Sequence, residues 1–250
     1  MEIILRKGGK KFMKQLTKDE QKEHLKVIEQ FLKYLNEKSN EYILKGGSAL
    51  KFCYGNSRMT QGINLDSINH ETIKKIIPEF CKKYNYQFRI AKDINTVQRY
   101  FINYGNIEIP LKIEISFRNK DLNEKDCERI NGYRVYNIDK IGKLKAIAYS
   151  ERDKIKDLYD VFFIINNYED KLRESKDILS IALANKGLEN FDYLSKNEVD
   201  HDLDLDELAE SFLIAIDKVG IIFESDDDEK NIFFTRRNRD IIISLFYFLP

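Results

Sequence analysis

Little in this sequence points away from a reducing, aqueous compartment. Its 250 residues contain three cysteines, at positions 53, 81 and 127, odd in number and without metal-ligand spacing. Neither a disulfide framework nor a zinc site is read from them. The three histidines, His24, His70 and His201, are scattered and form no HxxxH pair. Three prolines and eleven glycines exclude collagen-like and low-complexity classes. No apolar run approaches the ~20 residues that cross a bilayer. The longest, Ile241 to Leu249, is broken by Ser244. In the opening MEIILRKGGKK the charges follow a very short apolar stretch, the reverse of a secretory signal. The expectation is a soluble, cytoplasmic chain with no membrane partner.

What is present is enough for a sizeable core: 42% of residues are hydrophobic and 12% aromatic. The length fits one large domain or two small ones. Charged residues reach 34%, above the usual ~25%, but both signs are mixed among plentiful aromatics, which argues against disorder. The net charge of zero hides an asymmetry. Residues 187–228 hold fourteen acidic side chains against two lysines, whereas residues 1–186 hold thirty-six basic against twenty-six acidic. A basic front and an acidic back suit a polyanionic partner for the front, or are two ordinary solvated faces.

The hydrophobic pattern divides the chain. Thr17 to Glu20 has capping-box spacing, and Leu25, Val27, Ile28, Phe31, Leu32 and Leu35 form a helical stripe ending near Glu37. Tyr42-Ile43-Leu44 reads as a short strand entering Gly46-Gly47, with a helix opening at Ser48. Gly62 to Asp66 alternates like a half-buried strand, and Asn69 can cap a helix reaching about Tyr84. Segments 86–90, 97–104, 109–117 and 133–136 read as further strands. From Asp139 the period becomes helical, over 139–151, 154–167, 171–186, 204–219 and 237–248. There is no internal repeat. The fold class is therefore α+β, a mixed sheet flanked by helices over 1–137 followed by a C-terminal helical-bundle domain over 138–250.

Chemistry concentrates in two places. In Leu44-Lys45-Gly46-Gly47-Ser48-Ala49-Leu50, a strand, two glycines and a small hydroxyl residue open a helix. Such a turn lets backbone approach an anion and presents free amides at the positive end of the helix dipole. Any tight strand-to-helix turn also favours Gly-Gly, so the motif alone leaves a structural role open. On the strand Gly62 to Asp66, a spacing of two puts Asn64 and Asp66 on one face, and Glu114 in Lys112-Ile113-Glu114-Ile115 can join from a neighbouring strand. Acidic oxygens converging near a phosphate cradle suit Mg²⁺ or Mn²⁺, which would clamp the oxygens of a phosphoryl or nucleotidyl transfer.

Together the GG[ST]xL turn, the segment Arg58-Met59-Thr60-Gln61-Gly62-Ile63-Asn64-Leu65-Asp66 and the KIEI strand resemble the abortive-infection toxin branch (AbiEii/AbiGii) of the nucleotidyltransferase superfamily. Lys145, Arg152 and Lys156-Asp157-Leu158-Tyr159-Asp160 are similar to that family's K…R…RDLYDL helical motif, with Lys156 in place of the usual Arg. The resemblance covers residues 41 to about 165. It implies a nucleotidyltransferase-like domain over 1–137 that transfers NMP from an NTP to tRNA, another RNA or a protein. It implies a bacterial toxin with a cognate antitoxin partner. It also implies that Gly46, Gly47, Ser48, Arg58 and Lys145 bind nucleotide, that Asp66, Glu114, Asn64 and Asp160 form the catalytic set, and that Asp66 and Glu114 hold the metal.

The chain departs from the family where the chemistry is done. Two acids of the family pattern fall on Gly62 and Asn64, and a third, less regular position on Asp66. Losing two charges beside a divalent ion removes several kcal/mol of attraction at an effective dielectric of about 20. The resemblance thus implies either a transferase working with a depleted acid set or a degenerate nucleotide- or RNA-binding member. Among individual residues, Lys145 also fits a solvated helix position, Asp157 an i,i+4 pair with Lys154 or a neighbour, and Arg58 a local turn cap. Asp200 to Asp206 matches a calcium loop in acid content only, because Leu205 stands where the loop glycine is required. Cys53 reads as a small buried apolar residue. Arg236 to Arg239 leads into a last packing stripe rather than a membrane-surface helix.

Overall fold

The computed structural model describes residues 16–119, 122–197, 203–223 and 233–235, the last three and 222–223 as backbone only. Helix α1 (Lys18–Lys38) starts where the sequence places it. Thr17 Oγ1 accepts from the Glu20 amide at 3.3 Å, and the Thr17 amide donates to the Glu20 carboxylate at 2.7 Å. Strand β1 (Ile43–Lys45) passes without a linker into α2 (Gly46–Tyr54), and β2 (Gly62–Asp66) and α3 (Thr72–Tyr84) follow. The Asn69 side chain accepts from the Glu71 and Thr72 amides, supplying the start expected of it one turn before α3. Strands β3 (Gln87–Ile94), β4 (Val97–Asn103), β5 (Leu111–Ser116), β6 (Cys127–Ile130) and β7 (Tyr133–Tyr136) complete one mixed sheet of order β3-β4-β5-β2-β1-β7-β6.

Alternation along the central strands sorts the sheet into two faces. Leu44, Ile63, Leu65, Ile113 and Ile115 are in cross-strand register and almost wholly buried. The buried stripe of α1 (Val27, Ile28, Phe31, Leu32, Leu35) and Ile73, Ile76, Ile77 and Phe80 of α3 belong to the same core. Phe80 packs edge-on against Phe31 and beside Tyr34, Tyr84 and Tyr86. Each fully buried Leu, Ile or Phe contributes ~1.5–3 kcal/mol. The opposite face carries Lys45, Asn64, Asp66 and Glu114, which pleating places together because their partners are in register.

Beyond the sheet, α4 (Ile138–Glu151), α5 (Ile155–Tyr168), α6 (Glu174–Asn197) and α7 (Leu205–Lys218) pack on one another, and α4 also touches α2. Asp139 ties two of them together, accepting from the Arg173 and Ser175 amides and from Ser175 Oγ at 2.7–3.0 Å. Five elements differ from expectation, the first being β3, which continues to Ile94 past the expected end at 90. Strand β6 was not anticipated because Cys-Glu-Arg-Ile has no alternation, yet Asn131-Gly132 joins it to β7 with both residues at positive φ. That is the sequence signature of a two-residue hairpin. Helix α6 runs past the expected end at 186 because Gly187 (φ 66°, ψ −176°) only breaks it before a second helical stretch. A small ribbon of β8 (Ile221–Phe223) and β9 (Phe233–Thr235) stands in the part read as helical. The expected helix 237–248, Arg236 to Arg239 and Asp200 to Asp202 lie outside the described residues. Among those described, no helix is long and apolar enough to cross a membrane.

Candidate functional site

The β1–α2 turn is built by its glycines. Gly46 has φ +69°, and a Cβ there would lie 3.0 Å from Asn64 Nδ2. A Cβ on Gly47 would lie 3.1 Å from an Arg58 guanidinium nitrogen. The turn therefore sits close against Asn64 and Arg58, and at Gly46 the positive φ itself favours glycine. No side chain caps α2, so its leading amides keep their capacity to meet an anion. Ser48, which the resemblance assigns to nucleotide, is fully buried and donates to the Lys45 carbonyl at 3.2 Å, pinning the turn.

On the polar face of the sheet, Asn64 lies between Lys45 on β1 and Glu114 on β5. It has no hydrogen-bond partner among the described residues and is half-buried. Glu114 accepts from Arg99 of β4 at 2.6–2.7 Å. Asp66 stands one strand repeat further along, opposite Ser116 rather than Glu114. Strand geometry puts such a diagonal at about 8 Å between backbones. Its carboxylate, 7% exposed, accepts from Lys45 Nζ at 2.5 Å and from the Tyr136 hydroxyl at 2.8 Å. Burial, and then the Asp66 charge, push the Tyr136 hydroxyl well above its ordinary range, so it stays a donor.

The helical motif residues form a buried ion network rather than separate ligands. Asp160, fully buried, receives a forked pair from Arg58 at 3.0–3.1 Å, Lys145 Nζ at 2.5 Å and Asn56 Nδ2 at 3.3 Å. Lys145 also approaches Asp157 at 3.6 Å, and Arg152 holds Asp157 at 2.7 and 3.0 Å. Burial raises the Asp157 carboxyl, but the Arg152 hydrogen bonds and the Lys145 charge outweigh it and leave it below the usual range. The reading of Lys145 as a solvated helix position is thereby corrected; Asp157 finds its neighbouring partner in Arg152, and Arg58 both caps the local turn, donating to the Met59 carbonyl at 2.9 Å, and binds Asp160. All three residues sit in the network that fastens the loop after α2 to α4 and α5.

The sequence pattern of the family described as "Nucleotidyl transferase AbiEii toxin, Type IV TA system" matches residues 30–228. The chain belongs to the AbiEii nucleotidyltransferase toxin family. Among solved structures it is similar to a nucleotidyltransferase candidate from H. pylori, at 24% identity and TM-score 0.65, over 81% of this chain and 97% of that one. It is also similar to JHP933 from Helicobacter pylori, at 26% identity and TM-score 0.62, over 82% and 95% of the two chains. No curated protein matches. The mixed sheet with its strand-turn-helix is thus the AbiEii nucleotidyltransferase fold, and residues 170–228, which had suggested no relative, fall within the family match.

The donor set fits a divalent ion poorly. Mg²⁺ takes one or two carboxylates at 2.0–2.1 Å beside substrate phosphates. The two positions where the motif resemblance places acids hold Gly62 and Asn64 here, and the remaining carboxylates, Asp66 and Glu114, each pair with a cation. Among the described residues no group of three or more His, Cys, Asp or Glu side chains converges on one point. Around the same face stand two cations to which the sequence reading gave no role. Lys112 is the register partner of Gly62, so closely packed that a Cβ on Gly62 would be 2.6 Å from the Lys112 carbonyl. Lys156 lies one helical turn before Asp160. Its side chain reaches the surface, yet partial desolvation and then the Arg58 charge lower its pKa against an opposing Asp157 charge, with Arg152 and Lys112 adding to the lowering. The signal for both was present, since Lys112 precedes Glu114 by one strand repeat and Lys156 replaces the motif Arg. Cys53 has its thiol pushed up to about 12 by burial, so it is no nucleophile at neutral pH.

Proposed function

We propose that this chain is a nucleotide-binding member of the AbiEii family in which metal-dependent nucleotidyl transfer is silenced. The observation that carries this reading is the fate of the acids: Gly and Asn at two positions, Asp66 neutralised by Lys45, Glu114 by Arg99. A phosphoryl-type transfer relies on positioning and charge stabilisation by the metal and its ligands, and here that charge is answered by side-chain cations. The leading amides of α2 carry no side-chain cap, which supports retention of an NTP at the Gly46–Gly47 turn. The basic first 186 residues suit an RNA such as tRNA as the second ligand. The toxin–antitoxin family supports a cognate antitoxin as partner.

The test is transfer of α-³²P label from each of the four NTPs, with Mg²⁺ or Mn²⁺, into total tRNA and into the protein itself. The expected outcome is no transfer alongside measurable NTP binding. One observation favours a second reading: the unpartnered Asn64 side chain is adjacent to Glu114, which leaves a reduced pair of oxygen ligands for residual NMP transfer. Label that appears in the wild type and disappears in Glu114→Ala and Asp66→Ala would establish that second reading.

A further inference from the structure

We infer that the cleft takes its nucleoside triphosphate as the free anion, with the ammonium groups of Lys112 and Lys156 supplying the neutralisation that a carboxylate-held divalent ion supplies in a metal-dependent transferase. This rests on the nucleotide-binding reading above and adds the ionic form of the ligand. The juxtaposition is specific. Lys112 is in register with Gly62, where a family acid falls, and two residues from Glu114 on the same face. Lys156 lies one helical turn before Asp160, and Asp160 holds Arg58, whose guanidinium would lie 3.1 Å from a Cβ on Gly47. The two lysine charges are close enough to act on one another, since Lys112 helps to lower the Lys156 pKa.

Neither Lys112 nor Lys156 has a hydrogen-bond or ion-pair partner among the described residues, although Glu114 and Asp157 lie nearby with cations of their own. Lys156 is solvent-exposed, and although the Asp157 charge answers it in part, the Arg58, Arg152 and Lys112 charges crowd it, so an anion beside it is favoured. Where Lys45, Arg58 and Arg99 each have a carboxylate, these two are left to a ligand. A triphosphate supplies the missing charge, and the free anion carries two more negative charges than its Mg²⁺ complex. A fixed-cation site therefore prefers the free form, the opposite of a site built on Asp.

The experiment is calorimetric titration of the full chain with ATP, GTP, CTP, UTP and inorganic tripolyphosphate, each in EDTA and in excess MgCl₂. Lys112→Met and Lys156→Met are run beside the wild type, with circular dichroism as a folding control. The expected result is binding in EDTA, weakened about tenfold by Mg²⁺ and about tenfold by each substitution, the size of one charge-assisted hydrogen bond. An NTP that binds only with Mg²⁺, or equally well to both lysine variants, overturns the inference while leaving the nucleotide reading intact. Tripolyphosphate binding in EDTA without any NTP binding upholds the anion site and sinks the nucleotide reading. No binding of any probe sinks both.

Discussion

Asn64 stands directly opposite Glu114 in the parallel register of β2 and β5, while its own side chain fills the space beside Gly46. One atom therefore separates this cleft from a two-carboxylate site, since exchanging an amide nitrogen for oxygen changes charge and hardly changes shape. Asn64→Asp is expected to fold normally and to acquire a divalent-cation response. Thermal unfolding with and without Mn²⁺ checks it: the variant's Tm should rise with metal and the wild type's should not. A metal response equal in both would mean that Glu114 and Asp66 already suffice.

Restoring the other acid is a different matter. Gly62 lies against the Lys112 backbone, where a Cβ would approach the carbonyl oxygen to 2.6 Å. The obstacle is backbone in a paired strand, so it cannot swing away. Gly62→Asp is expected to destabilise the fold by ~1–3 kcal/mol, the usual range for overpacking. Urea unfolding of Gly62→Ala should show most of the same loss, because the clash begins at Cβ. An unchanged midpoint would show that β2 and β5 can part at little cost.

The buried network around Asp160 joins the sheet's loop to the helices. Removing its carboxylate leaves Arg58 without an anion and Lys145 with only Asp157 at 3.6 Å, in a site almost closed to water. Breaking one side of a buried pair costs ~3–5 kcal/mol, and Asp160→Ala is expected to fall in that range by chemical denaturation. A loss below ~1 kcal/mol would show that Asn56 and solvent compensate, and that the network is not what fastens α5.

These residues mark how far the sequence was readable. Helices α1, α4 and α5 were legible because their burial is one-sided, so the hydrophobic period reports it directly; strand Gly62–Asp66 is buried on both faces and was legible because its polar and apolar side chains still alternate. Strand β3 is exposed along its whole length, and β6 lacks alternation, so neither length nor pairing could be read from period alone. For β6 the Asn131-Gly132 turn was the available signal. The site residues were legible as types but not as partners. Lys45 to Asp66 spans 21 residues and Arg58 to Asp160 spans 102, so the neutralisation of each acid is a tertiary fact that local spacing does not carry. Arg99 and Tyr136, which close Glu114 and Asp66, sit in ordinary strand positions and look like packing residues.

Acid should loosen the helical half through two carboxylates. For Asp157, burial raises the pKa, but Arg152 and Lys145 lower it more. For Asp139, burial is likewise outweighed by the Ser175 and Arg173 hydrogen bonds. A folded-state pKa below the unfolded value means that stability is fully present above the unfolded carboxylate range near 4 and is lost as pH falls through the folded value. Urea midpoints measured from pH 7 to pH 3 should be level down to about pH 5 and then drop. Asp139→Asn should be less stable at pH 7 and show a shallower fall. A parallel fall in wild type and variant would assign the acid sensitivity elsewhere.

The last prediction separates an architectural Asp66 from a catalytic one. Lys45 at 2.5 Å and Tyr136 at 2.8 Å satisfy its carboxylate from two strands, tying β1 and β7 to β2. If that is its role, Lys45→Met strands a buried charge and should cost ~3 kcal/mol or more, whereas Lys45→Met with Asp66→Asn should recover much of the loss, since replacing both members of a buried pair is far milder than breaking it. Tyr136→Phe should cost less, ~1–3 kcal/mol, because it removes one donor and leaves the ion pair. Additive losses in the double variant would show that the pair contributes no coupling. Asp66 would then be free to serve a ligand, and the second reading of the cleft would gain its missing carboxylate.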